Sequence, residues 1–183
     1  MRRRLRPAYT DADMVEVYPQ AYDHTRWPDH IDRVQRTIEF AARVFPVAES
    51  VADLSCGDRA IPESLARRWS ARCTLGDFVP GCEYTGRVES TITQIPPVDV
   101  YICSETIEHI DDPDALLVAI RAKAQRLILS TPCDETITNP EHYWRWGVAD
   151  LADMFSDTGW QPVAFEFLDN PDLDVRYQLW ACR

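Results

Sequence analysis

Missing from this sequence is any apolar run approaching the ~20 residues that a helix needs to cross a bilayer. The basic start, Met1 to Arg6, is not followed by an apolar core of the kind that directs export. The expectation is therefore a cytoplasmic protein with no membrane partner. Also absent is a C-x-x-C pair: Cys56, Cys73, Cys82, Cys103, Cys133 and Cys182 are scattered. That spacing points to neither zinc nor redox chemistry, and it predicts free thiols in or beside strands and no metal site. Positive charge is scarce. A formal net charge of -11 opposes long-range attraction to a phosphate backbone and weighs against a nucleic-acid partner. The cluster Arg2, Arg3, Arg4 and Arg6 is a local exception, expected to be a solvated tail. No repeat or low-complexity segment is present.

What remains is a chain of 183 residues, 45% hydrophobic and 27% charged, a composition that folds, with a length that predicts a single domain over 1–183. Residues 1–45 read as an N-terminal extension ending in a helix over 28–45, whose apolar positions Ile31, Val34, Ile38, Ala41, Ala42 and Phe45 share one face. From residue 50 onward, strands alternate with helices. Strands are predicted at 50–54, 73–78, 98–103 and 126–130, the last ended by Thr131-Pro132, and helices at 61–69, 112–124 and 148–158, with Gly159 as a C-terminal cap. Residues 82–93 read as extended where a crossover helix would be usual. Two further strands, at 163–168 and 175–182, are joined by the turn-rich Asp169-Asn170-Pro171-Asp172. The expectation is an α/β, doubly wound, mostly parallel sheet, covered on both faces and closed by an antiparallel C-terminal strand pair.

Such a sheet binds ligands beyond the carboxyl ends of its strands. The residues there are acidic: Asp53, Ser55, Cys56, Gly57 and Asp58 after the first strand, Asp77 after the second, and Glu105, Glu108 and His109 after the third. A dinucleotide site needs G-x-G-x-x-G for close approach of the pyrophosphate, whereas this turn has one glycine and places Asp58 where that negative group would lie. Carboxylates suit instead a phosphate-free ligand with a ribose diol, an ammonium and a sulfonium, which describes S-adenosylmethionine.

The segments V-A-D-L-S-C-G-D (51–58), L-G-D (75–77), V-D-V-Y-I-C-S-E-T-I-E-H-I (98–110), L-I-L-S-T-P (127–132), E-H-Y-W-R-W (141–146) and D-T-G-W (157–160) resemble motifs of the class I, Rossmann-like S-adenosylmethionine-dependent methyltransferases. The resemblance runs from Val51 to the C-terminus. It implies a cofactor loop over 53–58 that includes Asp53, Ser55, Cys56 and Gly57. It also implies Asp77 on the ribose hydroxyls with Phe78 beside it, and Glu105 and Thr106 close to the cofactor. The Glu-His pair is similar to that of methyltransferases acting on small metabolites. The sequence departs from the pattern where Ser55 and Ala60 replace loop glycines, and the missing crossover helix leaves the adenine contact to residues 89–93.

His109 is the candidate general base, since a neutral imidazole can take a proton from a hydroxyl as the methyl group arrives. Tyr22, His24, Arg26, Trp27 and His30 precede the first long helix and are read as a lid over the substrate. His142, Tyr143 and Trp144, with Trp146, form an aromatic cluster expected to wall a substrate pocket. Cys133 is expected to be inert rather than a nucleophile. The function expected is methyl transfer to an oxygen or nitrogen of a small molecule. The alternatives are a nucleic-acid methyltransferase, a different nucleotide-using enzyme, or a non-catalytic binding module with a degenerate cofactor loop.

Overall fold

A computed structural model describes residues 1–135, 139–170 and 175–183. In chain order its elements are β1 (Arg3–Arg4), α1 (Asp11–Val17), α2 (Pro28–Val44), β2 (Ser50–Asp53), α3 (Ala60–Trp69), β3 (Arg72–Asp77), β4 (Tyr84–Thr85) and α4 (Val88–Thr91). There follow β5 (Val98–Ser104), α5 (Pro113–Arg121), β6 (Ala124–Cys133), β7 (Trp144–Arg145), α6 (Val148–Asp157), β8 (Pro162–Asn170) and β9 (Val175–Cys182). Short 3-10 turns lie at His24–Arg26 and Ile107–His109. The main sheet has seven strands in the order β4-β3-β2-β5-β6-β9-β8. Its first five strands run parallel, and β9 joins antiparallel to both β6 and β8. The expected α/β architecture with an antiparallel C-terminal pair is what forms. The expected turn at residues 169–172 falls partly on residues outside those described.

The side-chain alternation of a strand explains why such apolar runs are needed. Leu127 and Leu129 of β6 and Trp180 and Cys182 of β9 pack on one face, under α4, α5 and α6. Ile128, Leu179 and Ala181, which alternate with them along the strands, pack on the other face under α2 and α3. Helix α2 supplies Val34, Phe40 and Ala41 to that second layer. Proline opens α2 and α5, where the missing N–H would lack an intrahelical partner in any case.

Three expectations need correction. Strand β6 does not stop at Ser130 but runs through Thr131-Pro132-Cys133, paired with β9. Pairing with β5 ends at Ser104–Ser130, so beyond that point one side of β6 has no ladder to lose, and a proline is tolerated there. Residues 82–93 are not simply extended, because they hold β4 and the four-residue α4, whose Val88 is buried beside Ile92 and Ile95. The N-terminal arginines are not a free tail. Arg3 and Arg4 pair antiparallel with β7, Arg2 reaches Asp114 at 2.5 Å, Arg4 pairs with Asp111, and both guanidinium groups lie over the Trp144 ring. The sequence also carried no recognised signal for α1, which is capped reciprocally by Thr10 and Asp13.

If the sheet carries the stability, Leu129→Ala, at a side chain with 0% exposure, lowers unfolding free energy by about 2–5 kcal/mol. Val118→Ala, at a side chain 53% exposed, changes it by less than about 0.5 kcal/mol. Urea denaturation of both variants checks this, and equal losses would contradict the layer assignment.

Candidate active site

A cavity of about 650 Å³ opens beyond the carboxyl ends of β2, β3 and β5, within the size range of small-molecule sites. Its floor is Ser55 and Gly57 after β2, Asp77 and Phe78 after β3, and Ser104, Glu105 and Thr106 at the end of β5. Tyr18, Tyr22, His24, His30 and Arg33, from the N-terminal region, form its roof, and Glu135 with the 139–142 stretch forms a side wall. All four histidines of the chain line it. So do six carboxylates, Asp77, Glu89, Glu105, Glu108, Glu135 and Glu141, against two arginines, Arg33 and Arg87. The charge balance favours a cationic ligand.

The turn after β2 is built by side chains gripping backbone. Asp53 Oδ1 accepts the Ser55 N–H at 2.9 Å, and the Ser55 and Thr106 hydroxyls are 2.8 Å apart, joining this turn to the one after β5. Gly57 adopts φ +53°, and its N–H donates to Asp77 Oδ2 at 2.9 Å, while Asp77 Oδ1 accepts the Val79 N–H at 3.0 Å. Asp77 is thereby fixed with its remaining lone pairs available to the cavity. A Cβ on Gly57 would lie 2.9 Å from the Tyr22 carbonyl oxygen, so the glycine also lets the roof descend. The roof is pinned by His24, whose N–H and Nδ1 meet the two Asp58 oxygens at 2.9 and 2.7 Å. It is pinned again by Arg87, which reaches Asp11 at 2.5 Å and the Tyr9 carbonyl at 2.7 Å. Burial raises the Asp53 carboxyl to about 7, offset in part by its Ser55 hydrogen bonds and reinforced by Asp77.

The opposite wall holds a second group of ionisable side chains. Glu105 has φ +51°, an uncommon conformation for a non-glycine residue. Its carboxylate accepts the Ser130 hydroxyl at 2.8 Å and faces the buried Arg33 at 3.8 Å. Glu108 is 1% exposed. Its Oε2 accepts the Thr131 hydroxyl at 3.0 Å, and its Oε1 has no hydrogen-bond partner among the described residues. Burial, with Glu105 next, pushes its carboxyl upward. His109 Nδ1 lies 3.0 Å from the Glu141 carbonyl and 3.3 Å from the Tyr18 hydroxyl. His142 Nδ1 lies 2.7 Å from Glu135, and the two imidazoles meet edge to face at 4.9 Å. Burial, then the neighbouring His142, lowers His109 to about 3. At His142 burial also acts downward, but the Glu135 hydrogen bond and the charge of Glu108 outweigh it and leave the ring raised.

Ser55, Gly57, Asp77, Phe78, Glu105, Thr106, His109, Tyr22, His24, His30 and His142 all reach the cavity. The other candidates do not line it. Asp53 is 3% exposed beneath the turn, where it shapes the turn rather than the surface. Cys56 turns toward Cys82, the two sulfurs 3.5 Å apart, and both thiols are free. Arg26 and Trp27 are exposed and stack on each other outside the cavity. Tyr143 is buried with its hydroxyl accepting the Tyr9 N–H, and Trp144 is covered by Arg2 and Arg4. Burial lowers the His109 ring to about 3, which reduces its readiness to take up a proton at neutral pH. Burial raises the Cys133 thiol, in keeping with an inert residue. Arg33 was missed, since it interrupts the apolar face of α2 and only its burial distinguishes it from a surface arginine. Of the region left for adenine, Glu89 alone reaches the cavity, joined by Gly86, Arg87 and Val88.

No protein-family profile and no curated protein sequence matches the chain. Solved structures do. The 1,6-didemethyltoxoflavin-N1-methyltransferase of Burkholderia thailandensis, crystallised with 1,6-didemethyltoxoflavin and S-adenosylhomocysteine, superposes with a TM-score of 0.74 at 13% identity, over 100% of this chain and 94% of that one. The magnesium protoporphyrin IX methyltransferase of Synechocystis, with bound S-adenosylmethionine, gives 0.65 at 18% identity, over 98% and 100%. The [4+2]-cyclase SpnF gives 0.68 at 12% identity, over 94% and 90%. At such identities the likeness establishes the fold: this chain has the doubly wound fold of the class I methyltransferases, which also serves a cyclase.

Two outcomes follow from the turn. Gly57→Ala lowers stability by about 1–3 kcal/mol and speeds hydrogen exchange at the Tyr22–His24 amides, as the roof lifts. Unchanged exchange there would refute the close approach. For Asp53, the folded form keeps its proton up to about 7 while the unfolded form releases it near 3.8, so the stability it contributes is complete below 3.8 and lost as pH rises to about 7. Asp53→Asn removes this component. The stability difference between wild type and variant should change by on the order of 2–4 kcal/mol between pH 4 and 7, and equal pH profiles in urea denaturation would contradict the buried acid.

Proposed function

We propose that this chain binds S-adenosylmethionine in the cavity and transfers its methyl group to an oxygen or nitrogen of a small molecule. The observation that carries this reading is the excess of carboxylates around a cavity at the strand ends, with Asp77 held beside the Gly57 turn. A fixed carboxylate at that point suits the two ribose hydroxyls, and the acidic surroundings suit the ammonium and sulfonium. The adenine would lie between Phe78 and the Gly86–Glu89 stretch, and the methionine end would run past Ser55 and Gly57 toward Glu105. Two of the similar structures hold S-adenosylmethionine or its demethylated product, which supports the same ligand here. The acidic lining argues against a polynucleotide acceptor.

In this reading the acceptor atom lies on the His109 and His142 side, in line with the methyl carbon and the sulfur. A bond forms from acceptor to methyl carbon as the carbon–sulfur bond breaks, its electron pair remaining on sulfur and giving S-adenosylhomocysteine. The acceptor proton passes to water. Holding both partners at ~3 to 3.5 Å supplies most of the acceleration. The roof built from Tyr18, Tyr22, His24 and His30 serves as the lid, keeping water from the sulfonium. Arg33, buried beside Glu105, is a partner for a negatively charged substituent of the acceptor.

Isothermal titration with S-adenosylmethionine and with S-adenosylhomocysteine should give micromolar binding. Asp77→Ala should weaken it more than about tenfold, or about 1.4 kcal/mol. Absence of binding by wild type up to millimolar ligand would overturn the reading in favour of a fold that no longer holds this cofactor.

A further inference from the structure

The wall of the cavity formed by Glu108, His109 and His142 carries an arrangement that methyl transfer by positioning alone does not require. One donor atom from each of these residues lies within 4.8 Å of the others. The two rings are each oriented by a partner on Nδ1: the Glu141 carbonyl and Tyr18 hydroxyl for His109, and the Glu135 carboxylate for His142. That leaves Nε2 of each ring with no hydrogen bond among the described residues. A histidine held through Nδ1 by a carbonyl or carboxylate is oriented as metal-bound histidines are.

Glu108 supplies the independent observation. It sits in the interior, 1% exposed, with Oε2 satisfied by Thr131, whose oxygen in turn accepts the Trp146 Nε1–H at 3.1 Å. Its Oε1 has no partner among the described residues. A buried carboxylate oxygen left unsatisfied costs free energy that a structure rarely leaves uncompensated. A nitrogen of each imidazole and a carboxylate oxygen, all within 4.8 Å of one another, are donors that a cation satisfies together.

We infer that Glu108, His109 and His142 form a binding site for one divalent first-row transition-metal ion, with its open coordination positions facing the cavity. Two nitrogens and one oxygen favour ions of the zinc, cobalt, manganese and iron group over calcium, which prefers oxygen donors throughout. With metal–ligand bonds of ~2.0–2.2 Å, the donors must draw together by about 1 Å, an adjustment within side-chain rotation. Three protein ligands leave room for an exchangeable ligand from the cavity. Resting on the methyl-transfer reading, that ligand is the oxygen of a hydroxylated acceptor. The ion would hold this oxygen toward the methyl carbon and promote loss of its proton to water. This revises the expectation, drawn from cysteine spacing, that no metal takes part.

The test is titration of chelator-treated full-length protein with Co²⁺, read by visible d–d absorption and by calorimetry, with S-adenosylmethionine titrated separately into the metal-free protein. One equivalent of Co²⁺ should bind with a visible spectrum. Glu108→Gln and His142→Gln should abolish the spectrum, and Glu135→Gln, which keeps all three donors, should weaken binding by about 10–100-fold. Thermal melts identify any variant that has not folded. Wild type that binds no Co²⁺ stoichiometrically, or folded Glu108 and His142 variants that bind as wild type does, overturns the site. If Co²⁺ binds and S-adenosylmethionine does not, the metal site stands and the methyl-transfer reading falls. If only S-adenosylmethionine binds, the reverse holds.

Discussion

A parallel sheet covered on both faces leaves few places where solvent can meet chemistry. Side chains of the central strands are committed to the two helical layers, and the strand backbones are committed to their ladders. The carboxyl ends of β2, β3 and β5 escape that commitment, and the described cavity is placed there. The segment before β2 covers this opening with residues up to Arg33, fastened at Arg2–Asp114, Arg87–Asp11 and His24–Asp58. Partly exposed pairs of this kind contribute modestly, so the roof is held by several modest contacts rather than by one strong one.

Burial determines the electrostatics of the groups beside the cavity. Carboxylates drawn away from water resist ionisation, as at Asp53 and Glu108, while His109 resists protonation. An open acidic cluster would be a solvated surface. A half-buried one is the ground for the two proposed cations, an organic sulfonium and ammonium at the Asp77 side and an inorganic ion at the Glu108 side. The two would occupy different walls of one cavity, which is how a methyl donor and an activated acceptor would have to be arranged.

Most of the fold was legible because the sheet needs long apolar strands and its helices need one apolar face. Val98 to Cys103 and the spacing of Ile31, Val34 and Ile38 leave few alternatives. The residues at the floor of the cavity were legible as well, since the turns after β2 and β3 are local and their short polar side chains directly follow each strand. Segments whose structure depends on a distant partner were not. β1 forms because β7 lies alongside it, and Pro132 stays in a strand because β5 has ended. Trp144 and Tyr143 read as a pocket wall, yet their faces are taken by Arg2, Arg4 and Tyr9.

The sequence by itself determined the alternation of strands and helices, the acidity of the strand ends, and the single glycine in the turn after β2. These properties follow from periodicity and from neighbours in the chain. Only the tertiary structure decided which of the conspicuous side chains share a cavity, and that Asp53 shapes a turn rather than a surface. It alone brought Glu108 and His109 against His142, with one carboxylate oxygen unsatisfied. Burial and convergence are properties of packing, and no local pattern along the chain encodes them.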